Sequence, residues 1–290
     1  MAAVFAAAML WGTTGTMQGL LPAGRDPLAV AALRVVIGAL GLVLFCCVSG
    51  ERLSAIAALP RKQILLAGSA IALYNVSFFS GVSLAGVGIG TAIALGSGPL
   101  WVSLHDTVVK GFMPPRAQLA GQLLCVVGVV MLVVSGERSG SAGLGYALAA
   151  LAGLSYAAYS IVTNRLGGAG SAGVTAAATF SVSACVLAPV LLIADRSWID
   201  GSALLPLAFL GLAATGVAFF LFTYGVGRMP ASTAVTLALA EPLTAWLLAA
   251  LVLREPVTLS KMAGAATLLS GLGLTARSLA RARPGDVPTP

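Results

Sequence analysis

Ten runs of about twenty apolar residues follow one another along the chain, each nearly free of charge, and that is the length a helix needs to cross the hydrocarbon core of a bilayer. The runs cover roughly 2–21, 28–49, 63–84, 87–110, 117–135, 143–164, 172–194, 203–224, 229–253 and 259–279. In lipid every backbone N–H and C=O must find a partner within the protein, which leaves helices or closed barrels. These runs lack the period-two alternation of barrel strands and are too long for them. Composition agrees, with 59% of the 290 residues hydrophobic and 9% charged, where soluble proteins carry about 25% charged residues. The 35 glycines suit close helix–helix packing in lipid. The expected fold is an all-α integral membrane protein with ten transmembrane helices.

The basic residues behind the net charge of +7 are scattered between the greasy segments. They read as topology signals, and no nucleic-acid partner is expected. With the N-terminus in the cytoplasm, ten Lys and Arg fall in inside segments and five in outside ones, which favours both termini inside. Arg254 and Lys261 oppose that balance locally. The expected place is the cell (inner or plasma) membrane, crossed many times, as a monomer or weak dimer in the lipid bilayer. The segment from Met1 lacks a basic leading region, so it is expected to remain as a span. The tail 280–290 is polar and proline-rich, and is expected to be a disordered cytoplasmic extension. Cys46, Cys47, Cys125 and Cys185 sit in or at the ends of apolar runs without metal-ligand spacing, so no metal, cofactor or disulfide framework is expected.

A shift of 143 positions places Pro99 on Pro242, Gly121 on Gly264, Gly128 on Gly271 and Phe79 on Phe222. The repeat divides the chain into 2–135 and 143–279, with five spans in each. An odd number of crossings makes the second copy enter the membrane upside down, and inverted repeats suit alternating access around a central site. Paired interruptions at matching positions point to that site. Proline withholds a backbone donor and clashes with the carbonyl one turn back. Freed backbone groups at depth survive only within protein or beside a wet cavity. The segments Ser97–Gly98–Pro99 and Glu241–Pro242 are therefore candidate cavity walls, with a packing kink as the plainer alternative.

Ionisable groups in a span are expensive and are functional candidates by default. Glu241 lies at mid-span, where it must be paired, protonated or open to a cavity, and there it can carry a proton or meet a substrate ammonium. Arg34 lies within reach of the headgroups for snorkelling, or it offers a bidentate fork to a substrate carboxylate. Asp106 and Lys110 stand four apart on one helical face and can pair. His105, the only histidine, is a candidate titrating group or a merely solvated one near the interface.

The aromatic residues carry what the sequence says about the solute. Tyr74 and Phe78 share a helical face, with Asn75 beside them, and Trp101, Tyr156 and Trp246 sit within later spans. Such faces can line a pocket that is apolar with a few polar handles, or they can face lipid and the interface.

At WGTTGT (11–16), ALRVVIGAL (32–40), GVGIGTAIALGSGPL (86–100) and 231–274 the chain resembles the EamA branch of the drug/metabolite transporter superfamily. The stretch GTAIALGSGP is most similar to aromatic amino acid exporters of that branch. The resemblance implies a ten-helix carrier of two inverted five-helix repeats, often an exporter of amino acids or related metabolites. Acid-then-proline at Glu241–Pro242 and an arginine at the place of Arg34 are common among such proteins. The chain departs from the pattern at Phe112 and Met113, where many relatives carry an acidic residue after the glycine; the second copy keeps Glu255. No nucleotide-binding GxxxxGK[ST] stretch is present, so the expectation is a secondary carrier and not an enzyme, with protons as a candidate coupling ion. The alternatives are a carrier of nucleobases, sugars or drugs. A membrane-embedded enzyme is a remoter one, because His105 beside Asp106 is the only acid–base pair at hand.

Overall fold

The computed structural model describes residues 1–133, 142–252 and 257–281. Arg138, Arg254, Glu255 and the tail beyond Arg281 lie outside the described residues. Within them the chain is entirely helical. Helix α1 spans Ala2–Gly12, α2 Thr14–Gly19, α3 Pro27–Val48, α4 Arg61–Ala85, α5 Val87–Lys110, α6 Arg116–Val133 and α7 Ala142–Arg165. Then follow α8 Ala172–Leu187, α9 Val190–Ile193, α10 Leu204–Gly211, a π-helical turn Leu212–Val217, α11 Ala218–Val226, α12 Ala231–Leu237, α13 Ala240–Leu251 and α14 Leu259–Arg281.

Among the described residues eight helical stretches are long and apolar enough to cross a membrane. Two of the ten expected spans stand apart. The first is divided at Thr13, where the hydroxyl donates to Leu10 O at 2.6 Å, so α1 and α2 are each short. The last, α14, has 23 residues but carries Lys261, Arg277 and Arg281 and is less apolar. Burial runs inside out, as lipid demands: Leu192, Ile193, Leu204 and Leu205 are exposed, whereas Thr175, Thr179, Ser183 and Gln122 are buried.

Local chemistry explains where the helices start and stop. Asp26 caps α3 by accepting from Leu28 N at 2.8 Å and Ala29 N at 3.3 Å, with Pro27 in the first turn; both choices suit a helix N-terminus. Gly86, at φ 83°, separates α4 from α5 and adopts a conformation that side chains disfavour.

The two matched prolines behave differently. Pro99 sits inside the unbroken α5, where it withholds the N–H that would meet Leu95 O. The second run does break, at Ala238–Leu239, and Pro242 lies in the first turn of α13. Glu241 N donates to Ala238 O at 3.0 Å, taking the carbonyl that a residue at 242 would otherwise reach. The expected pair of interruptions is thus a single break, because a first-turn proline withholds an N–H the helix does not use and Pro99 interrupts only one bond of a long helix.

The bundle packs α4 on α7, α6 on α14, α3 on α8, α5 on α7, and α1 on both α11 and α13. Glycines set the closest approaches. A Cβ at Gly128 would lie 2.6 Å from Leu268 N, and one at Gly271 would lie 2.6 Å from Gly121 O. Without a hydrophobic force between helices in lipid, such backbone proximity supplies the packing.

Candidate functional site: a central cavity

A cavity of about 550 Å³ opens between the helices. It extends from Glu241 and Tyr156 at mid-span to the helix ends at Gln18, Arg25, Val87 and Lys261. The α12–α13 break brings Glu241 to its wall, half-buried, followed by Pro242 and, one turn on, Trp246. Helix α4 contributes Tyr74, Asn75 and Phe78, α7 contributes Tyr156, and α3 contributes Arg34. Tyr74 and Phe78 stack with ring centroids 5.6 Å apart, and Tyr74 meets the Tyr156 ring at 5.6 Å. The Asn75 amide donates to Ile71 O at 2.8 Å within its own helix.

Arg34 does not snorkel to the headgroups. It is 8% exposed; its Nε donates to Thr215 Oγ1 at 3.0 Å and its Nη2 to Ala214 O at 3.4 Å, while Nη1 has no hydrogen-bond partner in the protein. Its anchors belong to the π-helical turn, where Thr215 Oγ1 in turn donates to Leu210 O at 2.8 Å. A π-turn shifts the helical ladder to i→i+5 bonding and is frequent at functional sites, and here its Ala214 carbonyl accepts from the guanidinium. Arg34 and Glu241 face the same cavity yet make no ion pair with each other. An anchored guanidinium and a carboxylate therefore line one chamber at depth, with Arg25 and Lys261 at its helix-end rim.

Two polar groups on the wall have no hydrogen-bond partner among the described residues, Trp11 Nε1 and Thr14 Oγ1. A buried polar atom left unpaired is destabilising unless water or a ligand meets it. Trp11 also touches Tyr156 edge-on at 6.2 Å and Phe219 at 4.8 Å. Sequence reasoning did not single out Trp11, Thr14 or Thr215. The first two belong to WGTTGT, whose Gly12 is the point where a Cβ would meet Glu241 O at 2.8 Å, so α1 seats directly on the residue before Pro242. The π-turn leaves no periodicity signal in a run that is apolar all round.

The other candidates lie away from this chamber. Ser97 packs against Gly153, Gly98 against Val235 and the Tyr156 ring, and neither they nor Pro99 line the cavity. Trp101 packs against the main core. His105 sits near the opposite end of the bundle, with Nδ1 3.5 Å from Asp106 and Nε2 3.2 Å from Arg165 Nη2. Asp106 pairs with Lys110 at 3.1 Å, the helical pairing that their spacing of four allows. At the same end Asn164 ties α7 to the connection between α11 and α12, its amide donating to Val226 O at 2.6 Å and Met229 O at 3.0 Å. Among the described residues no group of His, Cys, Asp and Glu is placed to hold a metal ion.

The chain matches the EamA-like transporter family over residues 1–134 and 143–277. It is 35% identical over 270 residues to the uncharacterized transporter YwfM of Bacillus subtilis, covering 93% of this chain and 90% of that protein. An uncharacterized transporter of Archaeoglobus fulgidus is 26% identical over 274 residues, covering 93% and 94% of the two chains. A solved crystal structure, described only as that of a protein, matches with a TM-score of 0.83 at 22% identity, over 97% of this chain and 98% of that one; at such identity the likeness is one of fold. With eight stretches among the described residues long and apolar enough to cross a membrane, and a family model matched over nearly its whole length, this chain belongs to the EamA-like transporter family and is a multi-pass membrane protein of the transporter type.

Proposed function

We propose that the chain is a secondary carrier of small zwitterionic metabolites, amino acids or close relatives of them, and that it works by alternating access between two inverted five-helix repeats. The observation that carries this reading is the central cavity with Arg34 and Glu241 on its wall, unpaired with each other. An α-amino acid brings the complementary charges: its carboxylate meets the free edge of the guanidinium, and its ammonium meets the carboxylate of Glu241. Tyr74, Phe78, Trp11 and Trp246 surround the space an apolar or aromatic side chain would take.

The repeat reading draws support from contacts that recur under exchange of the halves. Gly68 of α4 abuts Val182 and Thr179 O of α8, and Gly211, its counterpart at a shift of 143, abuts Ile37 and Arg34 O of α3. At the level of helix pairs, α4 meets α7 where Gly81 abuts Ala149, and α11 meets α1 where Gly225 abuts Val4, although these two glycines are one position out of the 143 register. On this reading α1 with α2 and α14 are crossings too, making ten, with both termini in the cytoplasm and the protein in the cell membrane. The proposed direction is export, and Glu241 is the proposed proton-coupling group. No catalysis is assigned, and Ser97, Gly98, Pro99, Trp101 and His105 take supporting roles in the α5 scaffold.

Counterflow in proteoliposomes against a panel of amino acids, nucleobases and sugars tests the substrate class. Accumulation of labelled amino acids, driven by trapped unlabelled ones, is the expected result. Exchange confined to uncharged sugars or nucleobases would refute it.

A further inference from the structure

A second, smaller cavity, of about 280 Å³, lies near the opposite helix ends and, like the first, carries both a carboxylate and a guanidinium. Its wall carries one carboxylate, Glu51 just beyond α3, and one guanidinium, Arg228 just beyond α11. The two do not pair with each other. Ser171 Oγ donates to Glu51 Oε2 at 2.6 Å, which orients the carboxylate. Arg228 lies over the Tyr224 ring at 3.6 Å and donates from Nη1 to Tyr224 O at 2.8 Å, which fixes the guanidinium. Between them Thr163 and Thr175 line the cavity. Each is 2% exposed; the Thr163 hydroxyl lies toward that of Tyr159, and the Thr175 hydroxyl has no hydrogen-bond partner among the described residues. A buried, unpartnered hydroxyl on the same wall as an oriented carboxylate and an oriented guanidinium forms a site with a polar group left open.

The two cavities share two helices. Helix α7 presents Tyr156 to the central cavity and Thr163, seven residues on, to the second; α11 presents Phe219 to the first and Thr223 to the second. Between them sits a layer of rings. Tyr159 and Phe222 stack at 6.1 Å, Trp11 meets Phe222 at 5.4 Å, and Phe180 meets Phe219 at 4.6 Å. On the far side of that layer the Tyr159 hydroxyl stands 3.5 Å from Thr223 Oγ1.

We infer that the cavity between Glu51 and Arg228 is a second solute site, at which a small α-amino-acid-like zwitterion rests on the other side of the aromatic layer. The inference builds on the zwitterion reading of the central cavity. The ammonium is held by Glu51, the carboxylate by Arg228, and Thr163 and Thr175 hydrogen-bond to the polar end of the solute. The smaller volume favours a short side chain.

Equilibrium binding of L-[3H]alanine and L-[3H]phenylalanine to the full chain in lipid nanodiscs tests this. The expected result is an alanine site weakened at least tenfold by Glu51→Gln and by Thr175→Val, a near-isosteric change that removes only the hydroxyl. Phenylalanine binding should be weakened by Arg34→Ala and untouched by Thr175→Val. Alanine binding that is absent, or indifferent to both Glu51→Gln and Thr175→Val, while phenylalanine still binds through Arg34, overturns the second site and leaves the central one standing. Failure of both ligands to bind the folded wild type overturns the zwitterion reading itself, and the second site with it.

Discussion

The Cys125 thiol donates to the Leu268 carbonyl oxygen at 3.8 Å, across a separation of 143 residues. The same shift carries Pro99 onto Pro242 and Gly121 onto Gly264. A residue that touches its own counterpart lies where a two-fold axis would pass, and the neighbours follow: Gly121 faces Gly271, and Gly128 faces Gly264. On the inverted-repeat proposal this α6–α14 seam is the static spine of the carrier. Gly128→Ala would place a methyl group 2.6 Å from Leu268 N, an overpacking worth about 1–3 kcal/mol. The expected outcome is a clearly lowered melting temperature in detergent, whereas Gly273→Ala, whose Cβ meets nothing within 4 Å, leaves it unchanged or slightly raised. Equal melting of the two variants would deny the seam its packing role.

Arg34 is expected to select the solute carboxylate. Hydrogen bonds to a charged group are worth about 1.5–3 kcal/mol, so Arg34→Ala should weaken binding of a free amino acid by roughly ten- to hundredfold. The methyl ester, which offers no carboxylate, should be affected little. Competition assays comparing phenylalanine with its methyl ester read this directly; parallel losses for both would mean that Arg34 serves only to anchor α3 to Thr215.

Glu241→Gln keeps the shape of the wall and removes its charge. Counterflow of phenylalanine should fall about tenfold or more, and the dependence of transport on an imposed pH gradient should vanish. Normal transport by this variant at every pH would remove Glu241 from both substrate and proton roles.

Asn164 spans the connection between α11 and α12 through Val226 O and Met229 O. Asn164→Ala leaves two carbonyl acceptors without that donor, and loosening of the α11–α12 connection should follow. Hydrogen exchange at residues 227–232 is expected to quicken, with little change at the α6–α14 seam. Unchanged exchange there would show that the contact does not hold that connection.

The loop after α9 should respond to acid. Backbone and hydroxyl hydrogen bonds from Ser197 hold Asp195 below the ordinary carboxylate range, and the Ser202 hydroxyl and backbone N–H do the same for Asp200. A lowered carboxylate pKa gives a contribution that is full above the ordinary value of 3.8 and is lost as pH falls below it. The Trp198 indole donates to Asp195 O at 2.9 Å, so its fluorescence, in a variant with the other tryptophans replaced, should hold steady near neutral pH and shift in strong acid. A shift centred near neutrality would contradict this.

Much of this was legible in the sequence because lipid leaves few choices. Run length and missing charge gave the all-helical bundle, and Glu241, Arg34, Tyr74, Asn75, Phe78, Tyr156 and Trp246 all reach one cavity wall. What escaped has physical causes. Pro99 and Pro242 look alike in sequence, yet a first-turn proline marks a restart and a mid-helix one is absorbed by its neighbours. Trp11 and Thr14 passed unweighed as polar or aromatic members of an ordinary-looking span. The π-turn that holds Arg34 depends on Thr215 reaching Leu210 O, a tertiary detail without a sequence period. His105 drew attention for its rarity and its acidic neighbour, but it serves the far end of α5, not the chamber.

Alternating access itself is tested most directly by paired spin-label distances in nanodiscs. One pair sits at Gly19 and Ser83, near the end that the central cavity reaches; the other sits at Val109 and Gly168, near the opposite end. Added phenylalanine is expected to shift the two distance distributions reciprocally, the first pair closing as the second opens. Distances that stay fixed, or that widen together, would contradict a carrier that exposes one central site to each side in turn.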